Sequence, residues 1–205
     1  LPCERDLKGG ETMTKNILLA GVGGQGTILA AKMLTLGLME EGYDVKMSEI
    51  HGMSQRGGDV ISQVRYSRDK VYSPVIEKGT ADIVVAFEEM EALRNLVYLK
   101  RNGAVVVNRV RIPSMTILTG AEVYPDDIME EISKATENVT ALYATDMAES
   151  LGNAKAANVI LLGALVRSMG LDDIDWEEIV AKNVKAKFKD LNIAAFKAGM
   201  EAARK

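Results

Sequence analysis

An apolar run, NILLA at 16–20, leads straight into GVGGQG at 21–26, and that turn opens onto TILAAKMLTLGLMEEG, which keeps apolar residues at helical spacing. A strand that ends in a tight glycine turn and restarts as a helix leaves the helix little choice but to lie back over the sheet that holds the strand. The chain is thereby confined to the α/β class. A second strand at 44–49 follows a helix from about 25 to 41 and closes a βαβ unit.

After that unit the pattern changes. Only the loop from Ile50 to Gly58 separates the second strand from DVISQVRYS at 59–67, too short for a parallel crossover, so this third strand runs antiparallel to the second or lies elsewhere in the sheet. VYSPVI (71–76) reads as a hairpin partner pushed to an edge by Pro74. DIVVAF (82–87) is a continuous apolar run suited to a strand covered on both faces, followed by a helix over EEMEALRNLVYLK and a strand at GAVVVN (103–108). TILTG (116–120) reads as a short strand. The last third is mostly helical, at about 125–137, 146–151, 154–169, 175–188 and 191–204, with a strand at 139–144. Asn153 is placed to cap the helix from Ala154 and Gly170 to end it. The reading is a single three-layer α/β domain with a mixed, mostly parallel Rossmann-like sheet and a helical C-terminal third.

A chain of 205 residues suffices for one such core. The net charge is −4 and there is no Lys/Arg block with interleaved aromatics, which argues against a nucleic-acid partner. The longest apolar stretch, VILLGALV at 159–166, is too short to span a bilayer, so a soluble chain is expected. The single cysteine, Cys3, excludes an internal disulfide, a cysteine-ligated zinc site or an iron–sulfur cluster built by this chain, and fits a reducing cytoplasm. Residues 1–12 lack the apolar core of a signal peptide and read as a disordered or vector-derived tail, with the domain running from 13 to 205.

In GVGGQG, the glycines Gly21, Gly23 and Gly26 stand at dinucleotide-fingerprint spacing, and Glu49 falls near the end of the second strand, where a ribose-binding carboxylate belongs. Taken alone this suggests NAD or an adenine nucleotide. Against it, Gly24 and Gln25 make a GGQG whose amide can reach a partner or ligand, and no second domain is present to hold a substrate. The plain alternative is that the glycines only allow a tight turn and close helix packing.

The second loop, EIHGMSQRGGDV at 49–60, leaves the same sheet edge as the first. Its side chains are His51, Ser54, Gln55 and Arg56, set among Gly52, Gly57 and Gly58. Arg56 can fork onto a phosphate or carboxylate. No acid or cysteine is placed to turn His51 and Ser54 into a hydrolytic pair, so a hydrolase ranks last and no catalytic residue is assigned. Binding to another surface accounts for the loop better than catalysis within this chain.

Together, GVGGQGTILAAKML and SEIHGMSQRGGDVISQVR resemble the γ-type domain of the 2-oxoacid:ferredoxin oxidoreductases, and the HGMSQRGG form is most similar to the smaller subunit of the indolepyruvate-type enzymes. The similarity runs on through ADIVVAFEEMEALR and GAVVVN, from about Lys15 to Lys205. The resemblance implies a subunit of an enzyme that oxidatively decarboxylates a 2-oxoacid, passing electrons to ferredoxin and the acyl group to coenzyme A. It further implies that thiamine diphosphate, magnesium and iron–sulfur clusters belong to a larger catalytic subunit, with coenzyme A at the interface and no metal or cofactor held by this chain alone. The residues carried over are Gly21, Gly23, Gly24, Gln25 and Gly26 in the first loop, and His51, Gly52, Ser54, Gln55, Arg56 and Gly57 in the second, as interface or cofactor-facing positions. Candidate docking faces are the helix bearing Trp176 and the tail with Ile193, Phe196 and Met200, for which ordinary core packing is the alternative.

Overall fold

The computed structural model describes residues 13–52 and 58–204. The readings made on 1–12 and on Ser54, Gln55, Arg56 and Gly57 fall outside them.

The opening unit forms as its pattern predicts. Strand β1 (Lys15–Val22) turns through the glycine loop into helix α1 (Thr27–Glu40), and β2 (Asp44–His51) follows. The strand β3 (Asp59–Ser67) then inserts itself between them, antiparallel to both, so that Ala20 faces Ile61 on one side of it while Ile50 faces Ile61 on the other. Beyond β1 the sheet continues with β4 (Ala81–Ala86), β5 (Leu99–Asn108) and β6 (Val139–Leu142), all parallel to it, in the order β2-β3-β1-β4-β5-β6.

Successive strand residues alternate between two helical layers, as a pleated sheet requires. Ile17, Leu19, Ile83, Val85 and Val106 point to the larger layer, which is built by α1 and the C-terminal helices α5 (Ala144–Ser150), α6 (Ala157–Met169), α7 (Trp176–Asn183) and α8 (Lys189–Ala202). Val105 and Val107 point the other way, to α2 (Glu89–Asn95) and α4 (Ile128–Ala135). Asn158 to Val166 of α6 are all buried, as expected of a helix apolar nearly all round. Asn153 accepts from the Lys155 N–H (3.0 Å) at its start, and Gly170 closes it in the left-handed conformation. Helix α8 crosses it at backbone contact, because a Cβ on Gly199 would run into the Ile160 carbonyl and one on Gly163 into that of Phe196.

Three expectations are corrected. VYSPVI is not a hairpin strand: β3 has β1 on one side and β2 on the other, so no free edge remains for it to pair with. Side chains satisfy that segment instead, Asp44 accepting from Val71 N–H (2.7 Å), Gln63 from Ile76 N–H (2.5 Å), and Arg65 donating to the carbonyls of Ser73 and Val75. TILTG is not a strand but part of a one-turn helix, α3 (Met115–Leu118), begun by Ser114, whose hydroxyl accepts from Ile117 N–H (3.4 Å). The proposed docking faces on α7 and α8 are core: Trp176, Ile179, Val180 and Phe196 are buried, with Trp176 stacked on Phe196 at 6.3 Å.

Several boundaries shift as well. The helix expected over 88–100 ends at Asn95 in a 3-10 turn, and β5 starts at Leu99 with an irregularity where Asn102 takes a left-handed φ of 62°. The helix expected over 175–188 stops at Asn183.

Candidate functional site

Five of the six strands end, and β3 begins, along one edge of the sheet, so the two glycine-rich loops emerge side by side. Val22 pairs with Asp59 at that edge, the Gly23 N–H donates to the Gly58 carbonyl (3.0 Å), and the Gly52 N–H to that of Asp59 (2.8 Å). The expectation that both loops share an edge holds for these described flanks.

The first loop is closed by its own side chain. Gln25 folds back so that its carbonyl oxygen accepts from the Val22 N–H (2.7 Å) while its amide donates to the Phe87 carbonyl at the end of β4 (2.9 Å). Asn108, at the end of β5, donates to the same carbonyl (3.2 Å) and to the Thr145 hydroxyl (3.0 Å). A line of amides thus ties the ends of β1, β4 and β5 to the start of α5. The glycines make room for it: a Cβ on Gly21 would stand 2.9 Å from the Gln25 oxygen, the Thr27 hydroxyl and the Phe87 Cβ. Gly26 takes a φ of 81° with its carbonyl facing the buried Asn158. Gly23 and Gly24 remain exposed at the tip.

Part of this loop is committed inward rather than toward a dinucleotide. A fingerprint loop presents free N–H groups to a pyrophosphate, whereas here the N–H groups of Val22, Gly23 and Gln25 are engaged within the protein. The ribose carboxylate of that motif stands on the strand next to β1. Glu49 instead lies on β2 at the outer edge of the sheet, with β3 between, about 10 Å from β1 at ordinary strand spacing. Its carboxylate faces His51 at 3.4 Å, and the imidazole is half exposed.

Sequence reading missed the acidic cluster at the same edge. Glu88, Glu89 and Glu91 are each at most 2 % exposed. Glu88 caps α2 by accepting from the Glu91 N–H (3.0 Å); its other oxygen accepts from the Ile112 N–H (3.0 Å) and the Tyr124 hydroxyl. Glu89 takes Arg109 on one oxygen (2.6 Å) and Arg111 on the other (2.9 Å). Glu91 pairs with Arg94 (2.6 Å), yet its second oxygen is buried without a partner, and burial holds its pKa above the usual carboxylate range despite that guanidinium. Burial, reinforced by the Glu88 carboxylate, likewise raises the pKa of Tyr124. The readable signal was an acidic doublet at a strand end with no basic residue one turn on, followed downstream by the paired arginines of RVRI.

Beside this cluster a cavity of about 190 Å³ opens between Val22, Met90, Ile112, Met115 and Leu118. Among the described residues no group of three potential metal ligands is assembled, and no helix is long and apolar enough to cross a membrane. The edge is an organised surface of amides, engaged carboxylates and exposed apolar side chains.

Comparison with known proteins agrees with that architecture. Residues 16–202 match the model of the pyruvate ferredoxin/flavodoxin oxidoreductase family. The indolepyruvate oxidoreductase subunit IorB of Thermococcus kodakarensis is 38 % identical over 196 residues, covering 92 % of this chain and 96 % of that subunit. The ketoisovalerate oxidoreductase subunit VorA of Methanothermobacter marburgensis is 28 % identical over 92 % of this chain, but the match spans only 36 % of VorA. Among solved structures, the keto/oxoacid ferredoxin oxidoreductase gamma subunit of Geobacter sulfurreducens superposes with a TM-score of 0.68 at 25 % identity, covering 92 % of this chain and 98 % of that one.

Proposed function

Given that the chain belongs to the pyruvate ferredoxin/flavodoxin oxidoreductase family, we propose that it is the small subunit of an indolepyruvate-type 2-oxoacid:ferredoxin oxidoreductase. It docks on a larger catalytic subunit and encloses the coenzyme A and substrate side of that subunit's site. The observation that carries this reading is the near full-length match to IorB, combined with two glycine-rich loops brought to one sheet edge. In the complex, a 2-oxoacid and coenzyme A become an acyl-CoA and carbon dioxide, and two electrons pass to ferredoxin. Thiamine diphosphate with its magnesium ion and the iron–sulfur clusters belong to the larger subunit; one cysteine cannot ligate a cluster. The chain by itself is inactive, and the complex works in the cytoplasm.

Within that assembly Gly21, Gly23, Gly24, Gln25 and Gly26, with His51 and Gly52, form a wall rather than a catalytic centre. Ser54, Gln55, Arg56 and Gly57 complete it on the second loop, where Arg56 meets an anion or a carboxylate of the larger subunit. The amide-locked first loop suits this role, since a wall that is already ordered loses little entropy when a substrate binds against it.

The test is an anaerobic pull-down of the chain from its native cell extract, with the eluate assayed for dye reduction driven by indolepyruvate, pyruvate or 2-oxoglutarate. Co-elution of a thiamine- and iron-containing partner with indolepyruvate-dependent activity is expected. A chain that emerges alone and binds NAD or an adenine nucleotide overturns the reading.

A further inference from the structure

We propose that the segment from Arg109 to Tyr124 is the docking surface for the larger subunit, and that the cavity beneath α3 receives an apolar side chain of that subunit. The assignment rests on the oxidoreductase reading above.

Ile112, Met115, Leu118 and Val123 are 37, 61, 66 and 86 % exposed. Met115 and Leu118 stand three apart on the one turn of α3 and so share a face. Scattered exposed apolar residues need no explanation, but Ile112, Met115 and Leu118 line one cavity and so form a contiguous patch of the kind that marks an interaction site.

The patch is also held in place from below. A four-residue helix has no stability of its own, yet this one sits between two anchors. Glu88 accepts from Ile112 N–H before α3 and from the Tyr124 hydroxyl after it, while Glu89 grips Arg109 and Arg111 at the segment's start. Burying two carboxylates is costly unless each is fully engaged. Here that engagement serves to present apolar side chains to solvent. A patch ordered before binding does not lose that ordering entropy on association.

The occupant follows from the relatives. VorA carries this domain as about a third of a longer polypeptide, whereas IorB consists almost wholly of it. What VorA joins covalently, a subunit built like IorB must reach through its surface. The patch is continuous with the proposed wall, because Val22, the last residue of β1 before the exposed glycines, lines the same cavity as Met115 and Leu118.

The experiment measures binding of the purified full chain to the purified, cofactor-loaded larger subunit under anaerobic conditions, with reconstituted indolepyruvate-dependent dye reduction as a second readout. The double variant Met115→Asp/Leu118→Asp should bind at least about 100-fold more weakly, and Met115→Ala/Leu118→Ala about tenfold more weakly. Both should keep the wild-type melting transition. Val97→Asp, at an apolar position 50 % exposed before the start of β5 at the opposite sheet edge, should bind as wild type. If the wild type binds and is active but the double variants bind equally well, or Val97→Asp is just as damaging, the docking surface is wrong and the oxidoreductase reading stands. If the wild-type chain neither binds nor restores activity, the oxidoreductase reading itself fails.

Discussion

Gln25 shows how a residue typed as a ligand or partner contact can be turned inward by its own loop. Its amide pairs the Val22 N–H at the end of β1 and shares the Phe87 carbonyl beyond β4 with Asn108, so Gln25→Ala strips the partner from Val22 N–H and should lower stability by about 1–3 kcal/mol in denaturant unfolding. Glu89→Ala empties a buried site and leaves Arg109 and Arg111 without their shared carboxylate, although both guanidinium groups reach solvent and Arg111 keeps Asp126. A loss of about 1–3 kcal/mol is expected, because solvent screens the two arginines left behind. Glu91 behaves in the opposite way. Its folded pKa is raised, chiefly by burial, so the folded state prefers the protonated form: the stability this proton contributes is full below the unfolded pKa and is lost as pH rises through the raised folded value. Glu91→Gln therefore should raise the Tm at pH 8 by more than at pH 5. A variant less stable than wild type at pH 8 contradicts that account. None of the three glutamates was legible as buried, because an acidic doublet at the start of a helix reads equally well as a solvated first turn and only the fold brings Arg109, Arg111 and Tyr124 over it.

Elements were legible where periodicity or a strong breaker marks them, and misread where a neighbour decided. β1, α1 and α6 followed their patterns. VYSPVI carries enough β-branched and aromatic residues to pass for a strand, but a strand needs a free edge, and whether one exists is a property of strand order. Its dependence on side chains can be checked: Gln63→Ala strips the acceptor from the buried Ile76 N–H and should cost about 1–3 kcal/mol, with faster amide exchange confined to the 71–76 segment. The α6–α8 crossing is likewise invisible in a pattern of apolar residues. It depends on Gly163 and Gly199 having no Cβ to separate the two backbones. Gly199→Ala should destabilise by about 2–4 kcal/mol although alanine favours the helix itself by about 1 kcal/mol.

For the whole molecule, the proposed function makes the working unit larger than the chain. The purified chain alone should show no 2-oxoacid-dependent dye reduction, and addition of the larger subunit should both restore it and raise the chain's Tm, as any ligand of the folded state does. The α/β class, the strand–glycine–helix opening, the exclusion of a parallel crossover between the second and third strands and the deep burial of α6 were determined by the sequence by itself, because each depends on periodicity or on a loop length, which are local. The two loop motifs also sufficed to suggest the family. Tertiary structure alone decided that β3 separates β2 from β1 and so removes Glu49 from the strand where a ribose carboxylate stands, that Trp176 and Phe196 are core, and that Ile112, Met115, Leu118 and Val123 are left exposed. The reason is that which face of a helix is covered, and which strand stands beside which, depend on segments far apart in the chain competing for the same surface.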